Sequence, residues 1–178
     1  MKILNRNRYK IILFAVLLLT VVLASGCFGG IEAKKFETYS GYGITLDTSF
    51  YTTTNDDLYC ELSVENGDVA INVYIDEFIY SSYPNPSAIS ADDYALDYAY
   101  DVLSDIYFDI SPYFYQDNDE DQEAFDFLYT DGEDSYYCYV IVHKGTDAFW
   151  ISEFSCMSDY REEMFDDLDT WVDSIQIP

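Results

Sequence analysis

Residues 58–64 place apolar side chains at every second position, Leu58, Cys60, Leu62 and Val64, with Tyr59, Glu61 and Ser63 between them. A two-residue period puts alternate side chains on opposite faces of a strand, so this stretch predicts a strand with one buried face. Glu65-Asn66-Gly67-Asp68 follows, and Asn-Gly readily adopts the positive φ of a tight hairpin turn. Residues 69–78 return as its partner, with Ile71, Val73 and Ile75 on one face. Upstream, residues 36–39 and 43–47 read as short strands around Gly41-Tyr42-Gly43, and residues 52–57 (TTTNDD) as a polar loop.

The period then changes. Residues 80–89 (YSSYPNPSAI) form a Pro- and Ser-rich crossing loop, and Ser90 with Asp93 three places on marks a helix N-terminus. Over residues 91–108, Tyr94, Ala95, Tyr98, Ala99, Val102, Leu103 and Ile106 share one helical stripe, opposite most of the acids. After Pro112, strands are predicted at 113–116, 124–130, 135–143 and 148–157, separated by turns at 117–123, 131–134 and 144–147. Short turns between such strands give an antiparallel meander. A final helix opens at Ser158 or Asp159 and carries Met164, Phe165, Leu168, Trp171, Val172 and Ile175 at core-facing spacing. The sum is an α+β fold: an antiparallel sheet covered by two main helices.

The N-terminus follows a different rule. Residues 1–10 hold Lys2, Arg6, Arg8 and Lys10 and no acid, and residues 11–24 (IILFAVLLLTVVLA) are uncharged. As a helix this run rises roughly 21 Å at about 1.5 Å per residue, short of a hydrocarbon core of about 30 Å. A basic head, a short apolar middle and small residues before a cut describe an export signal. Ala24-Ser25-Gly26-Cys27 resembles the lipobox of bacterial and archaeal lipoproteins, which implies cleavage before Cys27 and a lipid on its sulfur. An uncleaved N-terminal anchor is the alternative. The expected organisation is a signal helix over 1–26, a tether over 27–35 and one domain over 36–178. Both readings give a partner, the membrane, and a location, the extracytoplasmic face of the cytoplasmic membrane.

Charge sharpens this picture. The chain has a formal charge of −26, and every acid lies at or beyond Glu32. Past Cys27 there remain Lys34, Lys35, Lys144 and Arg161 against 34 acids, a formal −30. Nucleic acid needs a basic footprint and is excluded as a partner. Nineteen Tyr and twelve Phe supply ample surface to bury, which excludes a disordered acidic segment.

The order of elements resembles the PsbP and Mog1-like fold. The residues that carry the likeness are the strand Gly41-Tyr42-Gly43-Ile44-Thr45-Leu46, the strand through Ile71 to Ile75, the helix from Ser90, the meander and the end Leu168…Trp171-Val172-Asp173-Ser174-Ile175. The resemblance implies a domain that binds proteins or metal ions and mostly lacks enzymatic activity.

Candidate chemistry is sparse. His143 is the one imidazole. Cys138 lies five residues from it, on the opposite face of a strand, so the two form no catalytic pair. No Gly-x-Ser-x-Gly elbow is present, which leaves a hydrolase only a cryptic site. Asp117, Asp119 and Asp121 in DNDEDQE are the candidate oxygen ligands for Ca2+, although Gln122 and Leu128 occupy the places where a calcium loop needs Gly and Glu. A solvated acidic turn is the alternative there. Among Cys60, Cys138 and Cys156, one disulfide is allowed in an exported protein, and Cys138 with Cys156 is the candidate pair; three buried thiols is the alternative. Tyr80, Tyr83, Tyr113 and Tyr115 lie near loops and form a candidate contact patch for a cell-envelope protein or glycan. The expected function is a membrane-anchored, non-enzymatic binding or scaffolding domain. A cation-binding surface protein and an enzyme with a cryptic site follow in that order.

Overall fold

The computed structural model describes residues 32–55, 57, 59–107, 110–115 and 121–178. Its elements are β1 (Ala33–Glu37), β2 (Gly43–Asp47), β3 (Tyr51–Thr52), β4 (Cys60–Glu65) and β5 (Val69–Glu77), then α1 (Ala91–Asp97), a π-helical segment (Tyr98–Leu103) and α2 (Ser104–Ile106). They continue with β6 (Tyr113–Phe114), β7 (Gln122–Asp131), β8 (Asp134–Lys144), β9 (Ala148–Met157) and α3 (Arg161–Asp173). Seven strands form one antiparallel sheet in the order β3-β4-β5-β9-β8-β7-β6, and β1 and β2 form a separate ribbon. The expected architecture, an antiparallel sheet covered by helices, is therefore the observed one.

The hairpin at Asn66-Gly67 forms as its chemistry dictates. Gly67 takes φ of +97°, and the Asn66 side-chain oxygen accepts from the amides of Asp68 and Val69 at 3.0 and 2.8 Å. The meander β7-β8-β9 then returns β9 beside β5, so β9 lies at the centre of the sheet.

Each face of the sheet has its own core. On one, Ile71, Val73, Tyr137, Ile141, Trp150 and Phe154 meet Met164, Leu168 and Trp171 of α3, together with Phe36, Ile44 and Leu46 of the ribbon. Gly41 enables this packing with φ of +97°, and an added Cβ there would lie 3.1 Å from Pro178. Next to it Tyr42 is fully buried, stacked on Trp150 and hydrogen-bonded to Ser152 at 2.8 Å. On the other face, Phe125, Phe127, Val140, Phe149 and Ile151 meet Ala91, Tyr94, Ala95, Ala99 and Leu103.

The structure corrects several expectations. Ala33, Lys34 and Lys35, expected before the first strand, pair with Asp47, Leu46 and Thr45 as part of β1. Thr52, read as loop, pairs with Val64. The last helix begins at Arg161 after a single 3-10 turn (Ser158–Tyr160), without a side-chain cap at either expected residue. The stripe of the first helix breaks at the π-helical segment. An i→i+5 turn holds more residues than an α turn, so the side chains beyond it rotate around the axis. Val102 and Ile106, expected in the core, are consequently exposed.

The disulfide expectation fails on register. Cys138 lies opposite Ser155, and Cys156 lies opposite Tyr137. Cys138 belongs to the core under α1 and Cys156 to the core under α3, so their side chains are on opposite faces of the sheet. Both are free thiols, as is Cys60.

Two substitutions test this layering by urea denaturation of the full chain. Phe154→Ala removes a fully buried ring from the central strand and should cost about 3–5 kcal/mol. Val102→Ala, on a side chain turned outward, should stay within about 0.5 kcal/mol. Equal losses would contradict the rotation of the stripe at the π-helical segment.

Candidate functional site

α1 packs over β7 and β8, and the π-helical segment and α2 continue the same ridge. Beside that ridge, on the same face, β4, β5 and β9 floor a cleft of about 740 Å³. Tyr74 and Asp76 of β5 and Glu153 of β9 rise from the floor, while Tyr94, Tyr98 and Tyr107 form the helical wall. The turned-out Val102 and Ile106 supply apolar rim, and Tyr59 and Tyr80 stand exposed at the outer edge. A smaller depression of about 180 Å³ adjoins it past Tyr94 and Tyr98, lined also by Tyr83 and Asp97.

Glu153 sets the electrostatics. It is 7% exposed, in a strand whose neighbouring residues are almost all buried, and its Oε1 accepts the Tyr98 hydroxyl at 2.9 Å. Burial disfavours its charge and Asp57 adds repulsion, while the Tyr98 hydrogen bond partly offsets both; the carboxyl is pushed up to about 7. Asp76, accepting from Tyr94 at 3.1 Å, is also raised by burial. The phenols respond in the same direction. Tyr98, Tyr94 and Tyr74 are held well above the ordinary phenol value, first by burial and then by the nearby carboxylates. The Cys60 thiol, beside this floor, is raised by burial as well, which keeps it protonated.

The residues anticipated as sites are dispersed. Cys27 and the candidate ligands Asp117 and Asp119 lie outside the described residues. Asp121 is exposed just before β7, and its carbonyl accepts the Lys144 amide at 2.8 Å. Among the described residues no group of three His, Cys, Asp or Glu side chains converges as a metal site would. The four tyrosines expected as one patch are split. Tyr80 and Tyr83 lie beside the cleft, whereas Tyr113 and Tyr115 meet edge to face at the β6 edge. Tyr115 and Tyr137 there donate to buried Asp126 at 2.5 and 2.7 Å, with Arg161 at 3.5 Å.

Glu153, Asp76, Tyr74 and Tyr98 were not singled out from the sequence. Glu153 carried a readable signal: it is the one charged residue in the strand AFWISEFSCM, between residues expected in the core. Tyr98 was assigned to packing, which is half its role.

No protein-family model matches the chain, and no curated protein is similar to it in sequence. Its fold does have solved counterparts. The solution structure of cyanobacterial PsbP (CyanoP) from Synechocystis sp. PCC 6803 superposes with a TM-score of 0.53 at 14% identity, over 85% of this chain and 96% of that one. The crystal structure of the Saccharomyces cerevisiae Ran-binding protein Mog1p superposes with a TM-score of 0.57 at 9% identity, over 83% and 96%. At such identities the likeness concerns the fold, and the fold is PsbP/Mog1-like.

The raised Glu153 carboxyl makes a pH prediction. Its pKa is above the ordinary value in the folded state, so folding takes up a proton between about pH 4.5 and 7. The stability it confers is present at low pH and is lost as pH rises through about 7. Glu153→Gln removes this dependence. The variant should exceed the parent by under about 1 kcal/mol at pH 5 and by about 3 kcal/mol at pH 8, using about 1.4 kcal/mol per pH unit. Urea melts of both proteins at the two pH values measure the gap; a constant difference would place Glu153 in contact with water.

Proposed function

We propose that this chain is a lipid-anchored, extracytoplasmic, non-catalytic binding domain whose ligand site is the tyrosine-walled cleft beside α1. The cleft itself carries the reading. Its volume falls within the roughly 300–1,000 Å³ of small-molecule sites, and a few polar groups converge on an otherwise aromatic and apolar lining.

The arrangement favours binding over catalysis. A carboxyl near neutrality is a feature that an acid–base catalyst would share. Around Glu153, however, the hydrogen-bonding partner is a phenol whose own pKa is far higher, and the nearby Cys60 is held as thiol rather than thiolate. Acid–base and nucleophilic catalysis both need partners poised closer together. The PsbP/Mog1-like fold agrees with a binding role, and of the two counterparts Mog1p is described as Ran-binding.

The anchoring half of the proposal rests on the sequence 11–27, where a short apolar run meets Ser25-Gly26-Cys27. Membrane fractionation with intact-mass analysis checks it: the mature chain should begin at Cys27, carry added lipid, and show only the Cys60, Cys138 and Cys156 thiols when unfolded without reductant. A soluble, full-length chain beginning at Met1 would refute it. For the cleft, a cell-envelope extract should shift the ring resonances of Tyr74 and Tyr98 in the parent chain. Val102→Trp, which places an indole at the rim without touching the core, should reduce those shifts at least severalfold. Unchanged Tyr74 and Tyr98 resonances in the parent would remove the cleft as the binding site.

A further inference from the structure

We infer that the cleft takes an organic cation, an ammonium group on an apolar body, held beside tyrosine rings with Glu153 as its carboxylate partner. This rests on the cleft being a binding site, as proposed above, and specifies the chemistry of what fills it.

The lining supplies both halves of such recognition. Tyr74, Tyr98 and Tyr107 border the cavity, with the Tyr94 ring stacked behind them between Phe149 and Tyr98, and the negative face of an aromatic ring attracts a cation within about 6 Å of its centre. Val102 and Ile106 offer apolar contact to the remainder of the molecule. Glu153 is more than nine-tenths buried, yet among the described residues only its Oε1 accepts a hydrogen bond, and Oε2 is left for a donor that enters the cleft. Buried carboxylates ordinarily acquire a cationic or fully hydrogen-bonded partner.

The cations among the described residues lie elsewhere. Lys34 sits over the Phe36 ring, Lys35 pairs with Glu37 and Gln176, and Arg161 approaches Asp126. None of these, nor Lys144, lines the cleft. An anionic ligand would meet uncompensated carboxylates there. A bare metal ion needs several oxygens converging at about 2.3–2.6 Å for calcium, and no such convergence exists among the described residues. An extended cation can instead place its charge at Glu153 and its body along the tyrosines.

Binding should therefore strengthen as Glu153 ionises. The groups facing it are Asp57 and Cys60 near β4, Tyr74 of β5, Tyr98 of the π-helical segment, Tyr107, Tyr129 of β7 and Cys138 of β8. Burial raises the phenols and thiols among them, so they stay neutral while Glu153 titrates through about 7.

The test uses the full chain in maltoside micelles and follows tyrosine-ring NMR signals at about pH 8. Choline and benzyltrimethylammonium are titrated against 3,3-dimethylbutanol, the uncharged isostere of choline, and 3,3-dimethylbutanoate, an anion of similar body. Both ammonium probes should bind at least tenfold more tightly than the alcohol, and the carboxylate should not bind. Glu153→Gln should weaken the ammonium probes at least tenfold, and lowering the parent to about pH 6 should weaken them severalfold without any mutation. Equal affinity for choline and its alcohol isostere overturns the inference and leaves the cleft as an apolar binding site. The inference also falls alone if no ammonium probe shifts Tyr74 or Tyr98 while the envelope extract still does. If neither does, the cleft reading falls with it.

Discussion

The whole domain depends on one strand being buried on both faces. β9 pairs along its length with β5 on one side and β8 on the other, and from Ala148 to Cys156 only Ser155 is more than marginally exposed. A strand in that position stabilises the fold through the burial of Phe149, Trp150, Ile151 and Phe154, each worth roughly 1.5–3 kcal/mol over the exposed side chain. It also requires a cover on each side, which α3 with the ribbon provides on one face and α1 on the other. Three polar residues interrupt the strand. Ser152 meets the Tyr42 hydroxyl at 2.8 Å and Ser155 approaches the Ala70 carbonyl at 3.4 Å, so both are absorbed by the packing. Glu153 is different: it opens onto the cleft and destabilises the fold whenever it ionises.

The acid excess explains the abundance of tyrosine. A chain with so few cations beyond Cys27 cannot pair its partly buried carboxylates with Lys or Arg. Phenol hydroxyls take that place. Tyr98 donates to Glu153, Tyr94 to Asp76, Tyr83 to Asp97, Tyr51 to Glu65, and Tyr115 and Tyr137 to Asp126. The neutral donor is cheaper to bury than an ammonium, because it carries no charge to desolvate. It also leaves the carboxylate's charge standing. Asp126 alone recruits Arg161, whose guanidinium lies over the Tyr137 and Phe165 rings. At the cleft no cation among the described residues plays that part.

What was legible in the sequence follows this physics. Period-two alternation marked β4 and β5 because each has one buried face to declare, Asn66-Gly67 fixed the hairpin between them locally, and short turns marked the meander. The α3 stripe through Met164, Leu168 and Trp171 was likewise plain. Register between β8 and β9 was not, since β9 is buried on both faces and its nearly continuous apolar run does not say which side chains share a face. Cys138 pairs with Ser155, and the placement of Cys138 and Cys156 on opposite faces excludes their bridge. The π-helical segment was equally hidden, because composition does not distinguish an i→i+5 turn from an α turn. The cleft needed the tertiary structure: Tyr74 and Asp76 lie on the face of β5 opposite Ile71 and Val73, and only the position of α1 shows that this face is partly open.

That openness has a geometric cause. Seven strands at about 4.8 Å spacing make a sheet roughly 29 Å across, whereas a helix with its side chains is about 10–12 Å wide. The chain crosses from β5 to the far edge at β6, and α1 lies over β7 and β8 on the way. One helix cannot also cover β4 and β5. An uncovered sheet face must either be polar or accept a partner. Here it is neither simply polar nor simply apolar, but carries aromatic rings around a buried carboxyl. The π-helical segment widens the ridge at this point and turns Val102 and Ile106 toward the gap rather than into the core. Had the segment been α-helical, its sequence stripe would have carried both residues inward. The irregularity thus trades core burial for cleft lining, and it does so where the central strand places Glu153.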